Sequence, residues 1–307
     1  MTTFSPVQAA LPSLRAFWAM LRWAFHAACE GIRIIRRDPA VVLVWAACYF
    51  AMLVALGLVV AFAFGGTVRA DLALLSRTND LRELIGIVAR RQGTLLPLIS
   101  LAVALQSVIS VAIMRAVIRP QERRRAYLRV GPEEGRQFIV ALVGWIVALV
   151  VTALPSAVLV LIGVGLISLG AVETNLWVEK LGAIAVAGLS IWAGVRLSLF
   201  AITTFAEGKL DLRRTWILTD HHFWGLLWMY AIALVITFLV SVVQTIVAGL
   251  ILGFSGGATN LVMLALTGLA NLLLAPFFFT VQMVILTAAP ARAYYDLHES
   301  ELAPAAV

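Results

Sequence analysis

Six apolar runs, each long enough to cross a bilayer as a helix, divide the chain and constrain it more than any other feature. They occupy residues 40–64, 95–118, 138–166, 181–205, 225–252 and 261–288. About 20 apolar residues span a hydrocarbon core as an α-helix. In lipid, every backbone N–H and C=O must find its partner inside the spanning element, so helices are the solution open to runs of this length. The expected fold class is therefore all-α: a polytopic membrane helical bundle with six transmembrane helices. Composition agrees, because only 13% of the 307 residues are charged and 62% are hydrophobic, against about 25% charged in soluble domains.

The basic residues set an orientation. With the N-terminus inside, the inner side holds arginines 15, 22, 33, 36, 37, 115, 119, 123, 124, 125, 129, 136, 196, 213, 214 and 292 together with Lys209. The outer side holds arginines 69, 77, 82, 90 and 91 and Lys180. The positive-inside rule then places both termini in the cytoplasm. A net charge of +7 would suggest nucleic acid in a soluble domain. Here topology accounts for the excess, and no nucleic-acid partner is expected.

Three regions follow: a cytoplasmic N-terminal amphipathic helix within 1–39, the six-helix domain at 40–288, and a cytoplasmic tail at 289–307. From Ser13 to Arg37, Arg15, Arg22, His26, Glu30, Arg33, Arg36 and Arg37 fall within one helical arc of about 120°. Phe17, Met20, Leu21, Ile34 and Ile35 lie away from it, with Trp18 and Trp23 at its borders. This pattern fits an interfacial helix on the membrane surface; the alternative is a water-exposed helix packed on the protein's own surface. Asp38-Pro39 should end it, and Gly65-Gly66 should end the first span. Between the first two spans, Leu81, Leu84, Ile85 and Val88 share a face and predict a short amphipathic extracytoplasmic helix. Three basic, aromatic-containing segments precede the first, third and fifth spans, a weak internal repeat of three hairpins.

Few residues could carry chemistry. Cys29 and Cys48 lack further ligands at metal or disulfide spacing, so no metal or cofactor is expected. No nucleophile–base set or intramembrane carboxylate pair occurs, so an enzyme is not expected. Arg115 and Arg196 occupy matching places near the inner ends of spans two and four, where an arginine either snorkels or serves a site. They suggest a shared pocket for an anionic headgroup, to which Arg33, Arg36, Arg37, Arg213 and Arg214 would add. Trp18, Trp23, Trp216 and Trp224 fit membrane-interface anchors. Glu207 lies about 16 Å along a continuous helix from Arg196; Arg213 or Arg214 is its expected partner if the chain turns at Gly208. Thr219 and Asp220 would cap the fifth span. Gln106, Gln244, Asn271 and Gln282 are amides inside spans, lining a path or bonding helix to helix. Pro155 and Pro276 should kink their helices.

The motifs RLSL at 196–199, AEG at 206–208, RRTW at 213–216 with Leu218 and Thr219, and Phe223-Trp224 resemble bacterial inner-membrane proteins related to the glycerophosphoryl diester phosphodiesterase membrane domain. The stretch AYLRVGPEEGRQF at 126–138 is also similar. The resemblance implies six spans, a bacterial inner membrane and a glycerophospholipid connection. It carries no activity over, because the soluble phosphodiesterase domain has no counterpart in this sequence. The expected function is non-enzymatic binding or handling of anionic glycerophospholipid headgroups, with membrane lipids as partners and a membrane protein partner also open. A small-solute transporter and a structural subunit or scaffold of a membrane complex are the alternatives; a continuous polar cavity at the midplane would favour the transporter.

Overall fold

The apolar runs form helices that outlast the membrane-crossing lengths expected from sequence. The computed structural model describes residues 6–75, 81–168, 170, 172–254 and 261–302. In order they are α1 (Pro6–Ala28), α2 (Glu30–Arg37), α3 (Pro39–Leu75), α4 (Leu81–Ile118), α5 (Pro132–Ser168), α6 (Val172–Leu197), α7 (Phe200–Glu207), α8 (Leu212–Phe254) and α9 (Leu261–Leu302). Two short 3-10 turns, Pro120–Glu122 and Arg124–Tyr127, join α4 to α5. Among the described residues, six helices are long and apolar enough to cross a membrane. The chain is an all-helical, multi-pass membrane protein.

Several boundaries differ from the sequence expectation, each for a physical reason. Helix α3 runs straight through Gly65-Gly66. Two glycines cost about 1 kcal/mol each relative to alanine, less than the several kcal/mol of leaving a backbone group unpaired in lipid. Residues 81–91 are the first turns of α4 rather than a separate helix; the amphipathic face expected there lies outside the residues whose side chains are described. Helix α8 begins at Leu212, and its cap is Asp211, whose Oδ1 accepts from the Arg214 N–H at 3.0 Å. Thr219 and Asp220, expected as the cap, are inside the helix. Helix α9 crosses both Pro276 and Pro290 and continues to Leu302, so most of the segment expected as a tail is helical. The N-terminal helix is divided at Cys29, where Cys29 N still donates to Phe25 O at 3.0 Å and Cys29 O accepts from Arg33 N at 3.2 Å.

Packing is concentrated at the end of the bundle that carries Arg115, Arg196 and Arg292, the basic end. Two cores meet there on neighbouring faces of α9. One joins α1, α7 and α8 through Ala24, Ala27, Leu199, Ile202, Leu226, Met229, Ile285 and Ala289. The other joins α2, α3 and α4 through Ile34, Val42, Trp45, Ile109, Ile113, Val284 and Ala288. Small residues let the backbones approach: a Cβ on Gly31 would lie 2.5 Å from Ile285 Cα. Away from this end the helices present bare apolar side chains, including Phe62, Trp145, Leu161, Ile184, Phe238 and Leu266. Such a surface is at home in lipid. The hairpin α5–α6 is the extreme case, apolar almost all round along its spanning length, with its neighbours α4, α7 and α8 covering only part of it.

Candidate functional site: the charged layer at the basic end

Arg115, in the last turn of α4, is buried. Its guanidinium reaches the first turn of α5, where Pro132 opens the helix and Glu133 and Glu134 follow. Nη2 donates to Glu133 Oε2 and to Glu134 Oε1, both at 2.6 Å, Nε donates to Glu133 Oε2 at 3.1 Å, and Nη1 donates to the Tyr127 carbonyl at 3.0 Å. Arg119 adds a bond to Glu133 Oε1 at 3.0 Å. Two arginines and two carboxylates thus form a neutral quartet, and the carboxylates sit where a helix N-terminus favours negative charge. Four of the five N–H donors of Arg115 are taken inside the protein, and the guanidinium is buried away from an outside anion. Its work is to hold the α4–α5 loop, where Arg125, Ala126 and Tyr127 all have left-handed φ values of 55°, 53° and 63°. That conformation costs L-residues about 1–2 kcal/mol each. It is held by Arg115 on Tyr127 O, by Trp45 Nε1 on Ala126 O at 2.8 Å, and by Tyr127 Oη on Pro120 O at 3.1 Å.

Arg196 has a different set of partners. It lies in the last turn of α6, with Trp192 one turn back on the same face and Trp216, Asp220 and Phe223 on α8 at i, i+4 and i+7. Its guanidinium carbon sits 5.2 Å from the Trp216 ring centre and 5.8 Å from those of Trp192 and Phe223. An ion pair to Asp220 closes the fourth side. Cation–π contacts of this kind favour a partly desolvated arginine. Arg115 and Arg196 are therefore each bound by separate carboxylates, and the structure does not bring them into one pocket. Sequence inspection missed those carboxylates. The Pro-Glu-Glu opening of α5 was the available signal for Arg115, and the Trp216/Asp220/Phe223 face of α8 for Arg196.

The other expected site residues divide between internal ties and free charges. Arg214 Nε pairs with Glu207 Oε1 at 2.9 Å across the turn at Gly208, φ 71°, as anticipated, and Tyr294 Oη donates to the same carboxylate at 3.3 Å. Arg37 pairs with Asp38 at 3.0 Å and reaches Ala116 O, and Arg123 meets the same aspartate. Arg33 pairs with Glu30 at 2.6 Å and donates to His26. Arg36 and Arg213 are exposed and make no ion pair among the described residues. Trp18, Trp216 and Trp224 are exposed, Trp216 while also forming part of the box around Arg196, whereas Trp23 lies on Gly225.

Helix α1 presents three faces. Ala24 and Ala27 pack on α8 and α9; Leu14, Phe17, Trp18 and Phe25 form a bare apolar stripe; Arg15, Arg22 and His26 border that stripe. Beside it, between α1, α8 and α9, opens a cleft of about 550 Å³ lined by Met20, Trp23, Asp220, His222, Trp224 and Asp296 among others. Asp296 is paired with Arg292 at 2.9 Å. No family model, curated protein or solved structure matches the chain.

Proposed function

We propose that this protein engages the headgroups of anionic glycerophospholipids, without catalysing a reaction, at the cytoplasmic surface of a bacterial inner membrane with both termini inside. The carrying observation is the three-faced α1: an exposed apolar stripe of Leu14, Phe17, Trp18 and Phe25 runs directly beside Arg15 and Arg22. A helix that buries one face in protein and offers such a stripe gains by laying it at the acyl–headgroup boundary, with the arginines on phosphate. The free arginines at this end, Arg36 and Arg213, extend the same basic surface; Arg115 and Arg196 are turned inward and serve the fold. The uneven distribution of Lys and Arg supports the orientation. The motif resemblance to the glycerophosphoryl diester phosphodiesterase membrane domain supports the lipid class and the bacterial membrane.

Native mass spectrometry of the full chain in mild detergent tests the reading. The wild type should retain phosphatidylglycerol or cardiolipin over phosphatidylethanolamine, and R15Q/R22Q/R36Q should lose that preference by about tenfold, the order expected from losing one to two charge-assisted hydrogen bonds. Unselective retention that the triple variant leaves unchanged would overturn it.

A further inference from the structure

A second site lies in the membrane, away from the charged layer, and rests on different observations. Tyr49 on α3, Ser241 and Gln244 on α8, and Gln282 on α9 line one open cavity of about 380 Å³, together with the apolar side chains of Leu53, Pro276 and Phe279. Gln282 is ten residues from Arg292, about 15 Å along α9, and Tyr49 is eleven from Asp38, about 16 Å along α3. Half of a ~30 Å hydrocarbon core is about 15 Å, so the cavity sits near the midplane.

The hydrogen bonds inside it are incomplete. Gln282 Nε2 donates to Ser241 Oγ at 3.1 Å, and Ser241 Oγ donates in turn to Thr237 O at 3.0 Å. Gln282 Oε1, the whole Gln244 amide and the Tyr49 hydroxyl make no hydrogen bond among the described residues. Donors and acceptors in hydrocarbon ordinarily find partners on a neighbouring helix, as Gln282 does with its amide nitrogen. Asn271 donates its amide nitrogen to Thr267 O on its own helix at 3.1 Å. The unused groups at the cavity comprise two carbonyl acceptors, one amide donor group and a phenol, with no charged side chain among the lining residues. The Tyr49 ring is held flat on Phe279, centroids 4.7 Å apart, which fixes where its hydroxyl points.

We propose that this cavity binds an uncharged ligand rich in hydroxyl or carbonyl groups: the glycerol-ester region of a neutral lipid, or a free polyol. An ionic ligand would meet no counter-charge at a depth where an unpaired charge is costly. The volume is within the ~300–1,000 Å³ of small-molecule sites.

The two sources are separated by two probes on the full chain reconstituted in vesicles. One is a diacylglycerol carrying a diazirine beside its glycerol, read by mapping the photolabelled peptides. The other is glycerol and erythritol entry, followed by stopped-flow light scattering. Labelling within 241–244 or 275–282, or polyol entry above that of protein-free vesicles, is expected in the wild type. Y49F/Q244L should lower whichever signal is present by about fivefold or more, the effect of losing one to two neutral hydrogen bonds. The variant removes unpaired polar groups from hydrocarbon, so its melting temperature should not fall, and the loss cannot be assigned to misfolding. Labelling alone assigns a lipid, and entry alone a free solute. Absence of both signals, or signals that the variant leaves unchanged, overturns the proposal.

Discussion

Single residues at the basic end have effects set by what they leave behind. Replacing Arg115 with leucine strands Glu134, which is 5% exposed, without its ion-pair partner and beside Glu133, which keeps only Arg119. The loss should be about 3–5 kcal/mol, the range for breaking a buried ion pair, and visible as a large fall in melting temperature in detergent. R115M/E134Q should recover part of it, since a buried pair removed together costs less than one broken in half. Arg196→Lys keeps the charge but loses the planar fit among Trp192, Trp216 and Phe223. A smaller cost of about 1–2 kcal/mol is expected from the same melting experiment. Cys29 gives a pH-dependent check. Burial pushes its thiol above the usual value and nearby Arg33 offsets part of that, so alkylation by maleimide should be slow at pH 7 and rise as pH increases into the alkaline range. These partners were only partly legible in the sequence: the pairing of Glu207 with Arg214 follows from an eight-residue turn, whereas Arg115 finds its carboxylates 18 and 19 positions on, across a left-handed loop that no local pattern announces.

Elements meet through contacts that a single methyl can probe. At Gly31 the added Cβ would press on the Ile285 backbone, 2.5 Å from its Cα, which cannot swing away. Gly31→Ala should therefore part α2 from α9 and cost about 1–3 kcal/mol. At Gly225 the same methyl meets the rim of the Trp23 ring at 2.9 Å, and a side chain can shift. The Gly225→Ala variant should melt closer to the wild type, a ranking that parallel thermal scans decide. The α1–α2 unit was recognisable from its polar arc. Its docking was not, because Ala24, Ala27 and Gly31 are unremarkable until a second helix is laid across them.

For the whole molecule, the proposed orientation predicts which loops a membrane-impermeant reagent reaches. In the C29S/C48S background, K209C should label only from the cytoplasmic side and K180C only from the opposite side; reversed labelling would invert the bundle. What the sequence by itself determined was the six-span, all-helical architecture, because apolar length and the demand for internal backbone hydrogen bonds are local quantities, summed along a run of about 20 residues. The tertiary structure alone decided that Arg115 and Arg196 are held apart by separate carboxylates, that α4 and α9 each contribute to both cores, and that Tyr49, Gln244 and Gln282 face one cavity. Each of these depends on which helix ends and faces converge in space, and the lipid-compatible surface of every span leaves that choice to side-chain packing between elements distant in the chain.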